Sequence, residues 1–155
     1  MSLTIRPMTS AELMRLTALF DYNDVPAMIA ENAAMIDSGE GDIFLLLEDD
    51  ELLGELHVRW CGGDDPLATG PHRAYLYAYR IRHDRQGEGL GQQLMRSVIA
   101  QAQARGCTEL TIGVEDDNAL ARHIYAKFGF VHHLARRSES YQGDSYEYDL
   151  YLRRV

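Results

Sequence analysis

The sequence predicts an α+β fold. Three observations carry the prediction. About seven short runs are apolar throughout or alternate with period two, as strands do. About four longer runs repeat apolar residues at helical spacing. One glycine-dense turn, Gln86-Gly87-Glu88-Gly89-Leu90-Gly91, joins a tyrosine-rich strand to a long amphipathic helix.

Taken in order, Leu3-Thr4-Ile5-Arg6-Pro7 is a short strand that Pro7 ends. Ser10 caps a helix beginning at Ala11, with Leu13, Leu16, Leu19 and Phe20 on one face. Asp21 to Asp24 form a turn. Asp24 caps a second helix, with Pro26 in its first turn. Met28, Ile29, Ala33 and Ile36 make that helix's apolar stripe. Ile43 to Leu47 is a continuous apolar strand, and Glu48-Asp49-Asp50-Glu51 a charged hairpin turn. The next strand alternates: Leu56, Val58 and Trp60 face one way, Glu55, His57 and Arg59 the other. Gly54 marks a bulge. Cys61 to Arg73 is a Gly-, Asp- and Pro-rich loop, where Asp64 and Asp65 are solvated or greet a cationic substrate.

In the fourth strand Tyr75, Tyr77, Tyr79 and Ile81 share one face, and Leu76, Ala78, Arg80 and Arg82 the other. Tyrosines at strand spacing read first as packing. After the glycine turn, Leu90, Leu94, Val98 and Ala102 form a buried helix face, and Gly106 ends the helix. Thr108 to Val114 is the fifth strand. Asn118 opens a helix with Leu120, Ile124 and Phe128 as its stripe, stopped by Gly129. Phe130 to Arg136 and Tyr146 to Leu152 are the last strands, with Gln142-Gly143-Asp144 turning between them.

Composition narrows the function. The 155 residues are most simply one domain, residues 1–155. A net charge of −9 argues against nonspecific binding to nucleic acid or an anionic membrane, and mildly suits a cationic acceptor such as an amine. Cys61 and Cys107 form no zinc pattern, so no metal is expected. No signal peptide is evident, and no apolar run approaches the ~20 residues that span a bilayer. The expectation is a cytoplasmic protein with free thiols.

The glycine turn is an anion cradle. The first N–H groups of a helix lack intrahelical partners, and the helix dipole adds partial positive charge there. Glycine admits positive φ and lets a ligand approach. A P-loop would need a lysine and a hydroxyl that this turn lacks. A dinucleotide fingerprint would need its third glycine one residue later, and a longer chain after it. The pattern Q/R-x-x-G-x-G/A is satisfied by Gln86, Gly89 and Gly91. Downstream, Asn118, Ala121, Tyr125, Gly129 and Phe130 fit N-x-x-A-x-x-x-Y-x-x-x-G-F. With these two motifs in this order, the sequence resembles the GNAT acetyltransferase superfamily along nearly its whole length.

The resemblance implies a GNAT-like fold: a mixed, mostly antiparallel sheet of about seven strands. The first strand lies at an edge, and the parallel fourth and fifth strands are splayed apart. About four helices flank the sheet. It implies acetyl transfer from acetyl-CoA, as cosubstrate, to a primary amine of a small molecule or peptide. Gln86, Gly87, Glu88, Gly89, Leu90 and Gly91 would hold the pyrophosphate. Backbone at Ile81 and Arg82 would bind pantetheine, as would Asn118 in addition to capping its helix. Arg82, Arg85 and Arg122 are the candidates for contact with CoA phosphates; Arg85, beside the glycine turn, is best placed, and for the other two a solvated role is equally open. Tyr125 would protonate the departing thiolate, since a phenol of pKa ~10 is neutral at pH 7.

The fourth strand has no carboxylate to act as base. Glu115 or Asp116, just after the fifth strand, could serve through a water, and His57 and Glu55 are weaker candidates. For each of the four a solvated surface role is the first expectation, and an ordered water chain, as in many members of the family, is the default base. An aminoglycoside, a polyamine, an amino acid or a protein N-terminus all remain open as acceptor, and dimerisation is undecided. A non-catalytic acyl-CoA-binding module and a nucleotide-binding regulator are the competing readings.

Overall fold

The computed structural model describes residues 2–61, 68, 72–115 and 118–155. β1 (Leu3–Pro7) pairs antiparallel with β2 (Gly41–Glu48), and β2 with β3 (Glu51–Arg59). β3 pairs antiparallel with β4 (Arg73–Ile81), which pairs parallel with β5 (Glu109–Glu115). β7 (Asp144–Arg154) lies between β5 and β6 (His132–Tyr141), antiparallel to both. The seven-stranded order is β1-β2-β3-β4-β5-β7-β6, with β1 at an edge as expected.

Two hairpins are closed by two-residue turns with both residues at positive φ. These are Asp49 and Asp50 (49° and 69°) and Gln142 and Gly143 (55° and 86°). Such turns match the natural twist of paired strands.

The expected splay is present, and a bulge accompanies it. β4 and β5 pair only from Arg73↔Glu109 to Leu76↔Ile112, although both strands run further. Just beyond, Ala78 sits at φ +50°, and the β3–β4 register slips by one residue. An inserted residue bends a strand and reverses its alternation. The one-face tyrosine stripe is therefore corrected. Tyr75 and Tyr77 face one side of the sheet. Tyr79 and Ile81 pack with Leu76 on the other. Arg80 joins Tyr77 in lining a cavity on the first side.

The sheet is covered on both faces. α2 (Leu90–Ala104) and α3 (Ala119–Lys127) cover one, where Leu94, Met95 and Val98 meet Leu56, Val58 and Leu76. A 3₁₀ helix (Ser10–Ala18) and α1 (Val25–Ser38) cover the other, with Leu13, Leu16, Met28 and Met35 against Ile43, Leu45 and Leu47. Double coverage explains why β2 reads as continuously apolar. It also overturns the solvated placement of Glu55 and His57, which are 0% and 4% exposed.

Helix starts follow local chemistry. Asp24 accepts a hydrogen bond from the Ala27 N–H at 3.0 Å, and Asn118 from the Ala121 N–H at 3.1 Å. The first helix differs from its expected form. Thr9 rather than Ser10 caps it, and Glu12 reaches back to the Thr9 N–H at 3.0 Å. Leu13 and Leu16 stand three residues apart, and a helix with three residues per turn aligns them into one buried ridge. The buried stripe of α1 is Met28, Asn32 and Met35, rotated from the expected one. No described helix is long and apolar enough to cross a membrane.

Candidate active site

The glycine turn lies where β4 gives way to α2. A short 3₁₀ turn, His83–Arg85, leads into it. Gly87 and Gly89 adopt φ of +84° and +80°, and no heavy atom lies within 4 Å of where a Cβ would sit on either. These positions favour glycine and leave the backbone open to a ligand. Gly91 has a different task. A side chain there would collide with the Tyr79 hydroxyl and crowd Ile81. Its absence lets α2 lie close on β4. Leu90, 5% exposed, pins the helix start into the core. Among the described residues no side chain caps α2, so its first N–H groups remain available for an anion.

The backbone edge beside the turn is also open. Beyond Leu76, β4 has no β5 partner. The Arg82 N–H donates to the Leu53 carbonyl at 2.7 Å, toward β3. Alternation then turns Ile81 the other way, toward the splay. The Ile81 carbonyl accepts from the Gln86 side chain at 3.1 Å, leaving its N–H on that open margin. Of the two residues expected to offer backbone here, Ile81 faces the splay and Arg82 faces away.

The arginines expected near the phosphates are held by carboxylates. Arg85 makes two bonds of 3.0 Å to Glu48 and others of 2.8 and 3.1 Å to Glu88. Arg82 binds Asp84 at 2.6 Å and Glu51 at 2.5 Å. Arg122 binds Asp149 at 3.2 Å and lies over the Tyr151 ring. The turn thus presents backbone N–H groups, with its guanidiniums already neutralised.

Tyr125 projects from α3 into the core on the α2 side, 7% exposed. Its ring lies 5.9 Å from Tyr79 and 6.4 Å from Phe130. Burial pushes its phenol well above the ordinary value, with the neighbouring Tyr79 adding to the effect. Burial likewise pushes Tyr79 up to about 12. Both phenols are neutral, proton-bearing groups at physiological pH.

The opposite face holds a cavity of about 600 Å³. Tyr77 and Ala78 of β4 and Gly113 and Glu115 of β5 bring the splay to its wall. Glu115, at the exposed end of β5, opens onto it. Tyr125 does not line it. The predicted residues thus form two groups, on opposite faces, that the splay separates. The far wall is the β6–β7 hairpin, docked on the segment before α1. There Asn23 donates to the Gln142 carbonyl at 2.6 Å and to Asp144 at 3.2 Å. Asp64, Asp65 and Asp116 lie outside the described residues, as does the Leu120 side chain.

At the floor sits a cluster that alternation alone did not place. Glu55 binds Arg80 at 2.5 Å, and His57 Nε2 stands 3.4 Å from the same carboxylate oxygen. The latter is a long contact, beyond the ordinary hydrogen-bond range. Burial by itself raises the Glu55 carboxyl, but His57 and the Arg80 guanidinium beside it hold it below its ordinary value. Arg80 in turn covers the Phe20 ring at 4.0 Å.

Residues 11–130 match the family described as the Acetyltransferase (GNAT) family. The chain belongs to the GNAT acetyltransferase family. A Pseudomonas paraeruginosa protein named L-methionine sulfoximine/L-methionine sulfone acetyltransferase is 25% identical to it over 139 residues, 84% of this chain and 81% of that one. A probable acetyltransferase from Staphylococcus epidermidis shares the fold with a TM-score of 0.78 at 15% identity, over 99% of each chain. A GNAT family acetyltransferase from Elizabethkingia anophelis, solved with acetyl-CoA bound, gives 0.69 at 18%, over 99% of this chain and 98% of that one. The chain is thus an acyltransferase of a family that uses acetyl-CoA.

The described residues of this GNAT chain fit such a cosubstrate. An open bend at positive φ, an uncapped helix start and an unpaired strand margin lie side by side. What sequence reasoning missed was the cavity floor. The signal was present in the apolar stripes of the helices on both faces of the sheet. Together they require the alternate face of β3, Glu55 and His57 included, to be buried.

Proposed function

We propose that this chain transfers the acetyl group of acetyl-CoA to the amine of a small molecule or peptide by direct attack. The observation that carries the reading is the bend at Gly87 and Gly89, open and set against the uncapped start of α2. N–H groups at that start take the diphosphate, within a binding bend formed by Gln86 to Gly91. The Ile81 N–H, on the unpaired margin of β4, meets the pantetheine arm as a neighbouring strand would. Asn118 caps α3 and turns its remaining amide toward the same arm. Arg85 and Arg122 serve by leaving their carboxylate partners for phosphate, and Arg82 contributes through its side chain alone.

The acceptor reaches the thioester from the cavity side. Its ammonium first loses a proton, because only the free amine has a lone pair. That lone pair forms the C–N bond, and the C–S bond then breaks, its electron pair leaving with sulfur. Tyr125 supplies a proton to the sulfur, and the nitrogen's surplus protons leave through a water held by Glu115. The splay between β4 and β5 is the passage that lets groups on opposite faces serve one reaction.

The test is thiol release from acetyl-CoA across a panel of amines, for the native chain and for Tyr125→Phe. Amine-dependent release that Tyr125→Phe depresses supports the reading. CoA binding without turnover on any amine favours a non-catalytic acyl-CoA-binding module.

A further inference from the structure

The cavity facing the splay is strongly acidic. Asp21, Glu31, Glu115, Glu139 and Asp144 border it. Among the described residues, two guanidiniums, Arg59 and Arg80, stand against these five carboxylates. Both are engaged, Arg80 by Glu55 at 2.5 Å and Arg59 by Glu40 at 3.4 Å. The walls are aromatic as well. Tyr75 and Tyr77 stack with centroids 5.1 Å apart, and Tyr146 and Tyr148 lie 5.9 Å apart. The Tyr148 and Tyr146 hydroxyls donate to Glu139 at 2.7 and 3.3 Å, holding that carboxylate in place. Ring faces and carboxylates together attract cations.

A second observation points to a ligand. His57 lines the cavity and is only 4% exposed. Among the described residues neither of its ring nitrogens has a hydrogen-bond partner. Nε2 still stands 3.4 Å from the Glu55 carboxylate, so Nδ1 is the nitrogen left to meet a bound ligand. A neutral imidazole keeps one nitrogen free to accept from an N–H donor.

We propose that the acceptor carries a second positive charge besides the nitrogen that is acetylated, as a linear diamine or polyamine does. This rests on the acetyl-transfer reading above and narrows its substrate class. The reacting nitrogen lies toward the splay, beside His57 and Glu115. The distal ammonium lies among Glu31, Glu139 and Asp144. An α-amino acid fits less well. Its carboxylate would face a wall on which the described carboxylates outnumber the guanidiniums. The distal ammonium undergoes no covalent change. At the reacting nitrogen a C–N bond replaces the C–S bond, sulfur leaves as the thiol, and one net proton is released.

The experiment compares amines at matched length with acetyl-CoA saturating. The probes are 1,4-diaminobutane, a linear triamine, n-butylamine and L-methionine, with thiol release as readout. Calorimetric binding of the two four-carbon amines to the CoA-loaded chain gives a readout independent of turnover. The expected kcat/KM for 1,4-diaminobutane exceeds that for n-butylamine by at least about 10-fold, and added salt narrows the gap. Glu139→Gln and Glu31→Gln, tested separately, each move that ratio toward one. Equal or better use of n-butylamine or L-methionine overturns the proposal. Turnover of no amine at all would remove the transferase reading, and calorimetry would still decide the charge preference. Diamine binding no tighter than monoamine binding overturns it there too.

Discussion

Tyr125 on α3 and Tyr79 on β4 pack ring against ring, with centroids 5.9 Å apart and planes tilted by 53°. Tyr79 in turn occupies the space that a side chain on Gly91 would need. The helix bearing the proposed acid is therefore braced, through one strand residue, on the helix that begins at the glycine bend. Removing the hydroxyl should leave this packing intact. Tyr125→Phe is expected to keep its melting temperature and CoA affinity while kcat falls about 100-fold. Steady-state kinetics alongside a thermal melt checks this.

The same burial sets a pH expectation. The Tyr125 phenol is raised above its ordinary value, so it keeps its proton to higher pH than a free tyrosine. An acid with a raised pKa loses activity later as pH increases. The kcat of the native chain should therefore show no basic limb from this group up to pH ~10. A fall near pH 8 that vanishes in Tyr125→Phe would contradict the assignment.

The glycines of the bend should separate by task. Gly91→Ala places a methyl against Tyr79 and is expected to cost about 1–3 kcal/mol of stability, read by denaturant unfolding. Gly87→Ala meets no neighbour, and only its φ of +84° opposes it, for about 1–2 kcal/mol. Gly87→Asn, a residue that tolerates left-handed backbone, should recover much of that loss.

Much of this was legible beforehand, for local reasons. Asp24 and Asn118 cap the helices they were assigned, because capping depends on residues within one turn. Gly87 and Gly89 have the positive φ expected of a glycine-rich bend. The facing of Arg80 was not legible. It depends on a single inserted residue at Ala78, and alanine at φ +50° leaves no mark in the sequence. Glu55 and His57 were misplaced for a different reason. A polar residue in an alternating strand reads as exposed, and only tertiary coverage by the 3₁₀ helix and α1 buries it. The cavity facing the splay is assembled from β3, β4, β5, the β6–β7 hairpin, α1 and the segment before it, a juxtaposition that no local pattern encodes.

The buried Glu55–Arg80 pair supplies a stability test. Glu55 is fully buried, so Glu55→Gln leaves the Arg80 charge without its carboxylate at the cavity floor. The expected loss is about 3 kcal/mol by denaturant unfolding. Because the folded state lowers the Glu55 pKa, its contribution is present at neutral pH. That contribution disappears as acid titrates the carboxylate through its depressed folded-state pKa. The stability gap between native and variant should therefore narrow at low pH.

Asn118 has two tasks that substitution can separate. Asn118→Ala removes the cap on α3 and should cost about 1 kcal/mol. Asn118→Asp retains an oxygen to cap the helix but loses the side-chain N–H donors. It should keep near-native stability while raising KM for acetyl-CoA. An unchanged KM would restrict Asn118 to capping.

The most direct measurement of the central claim is a crystal structure of the chain with CoA. The expected result places diphosphate oxygens within hydrogen-bond reach of the N–H groups between Gly87 and Gly91, with the sulfur in the splay beside the Tyr125 hydroxyl. A diphosphate bound elsewhere, or a sulfur on the far side of β4 from Tyr125, would contradict the account.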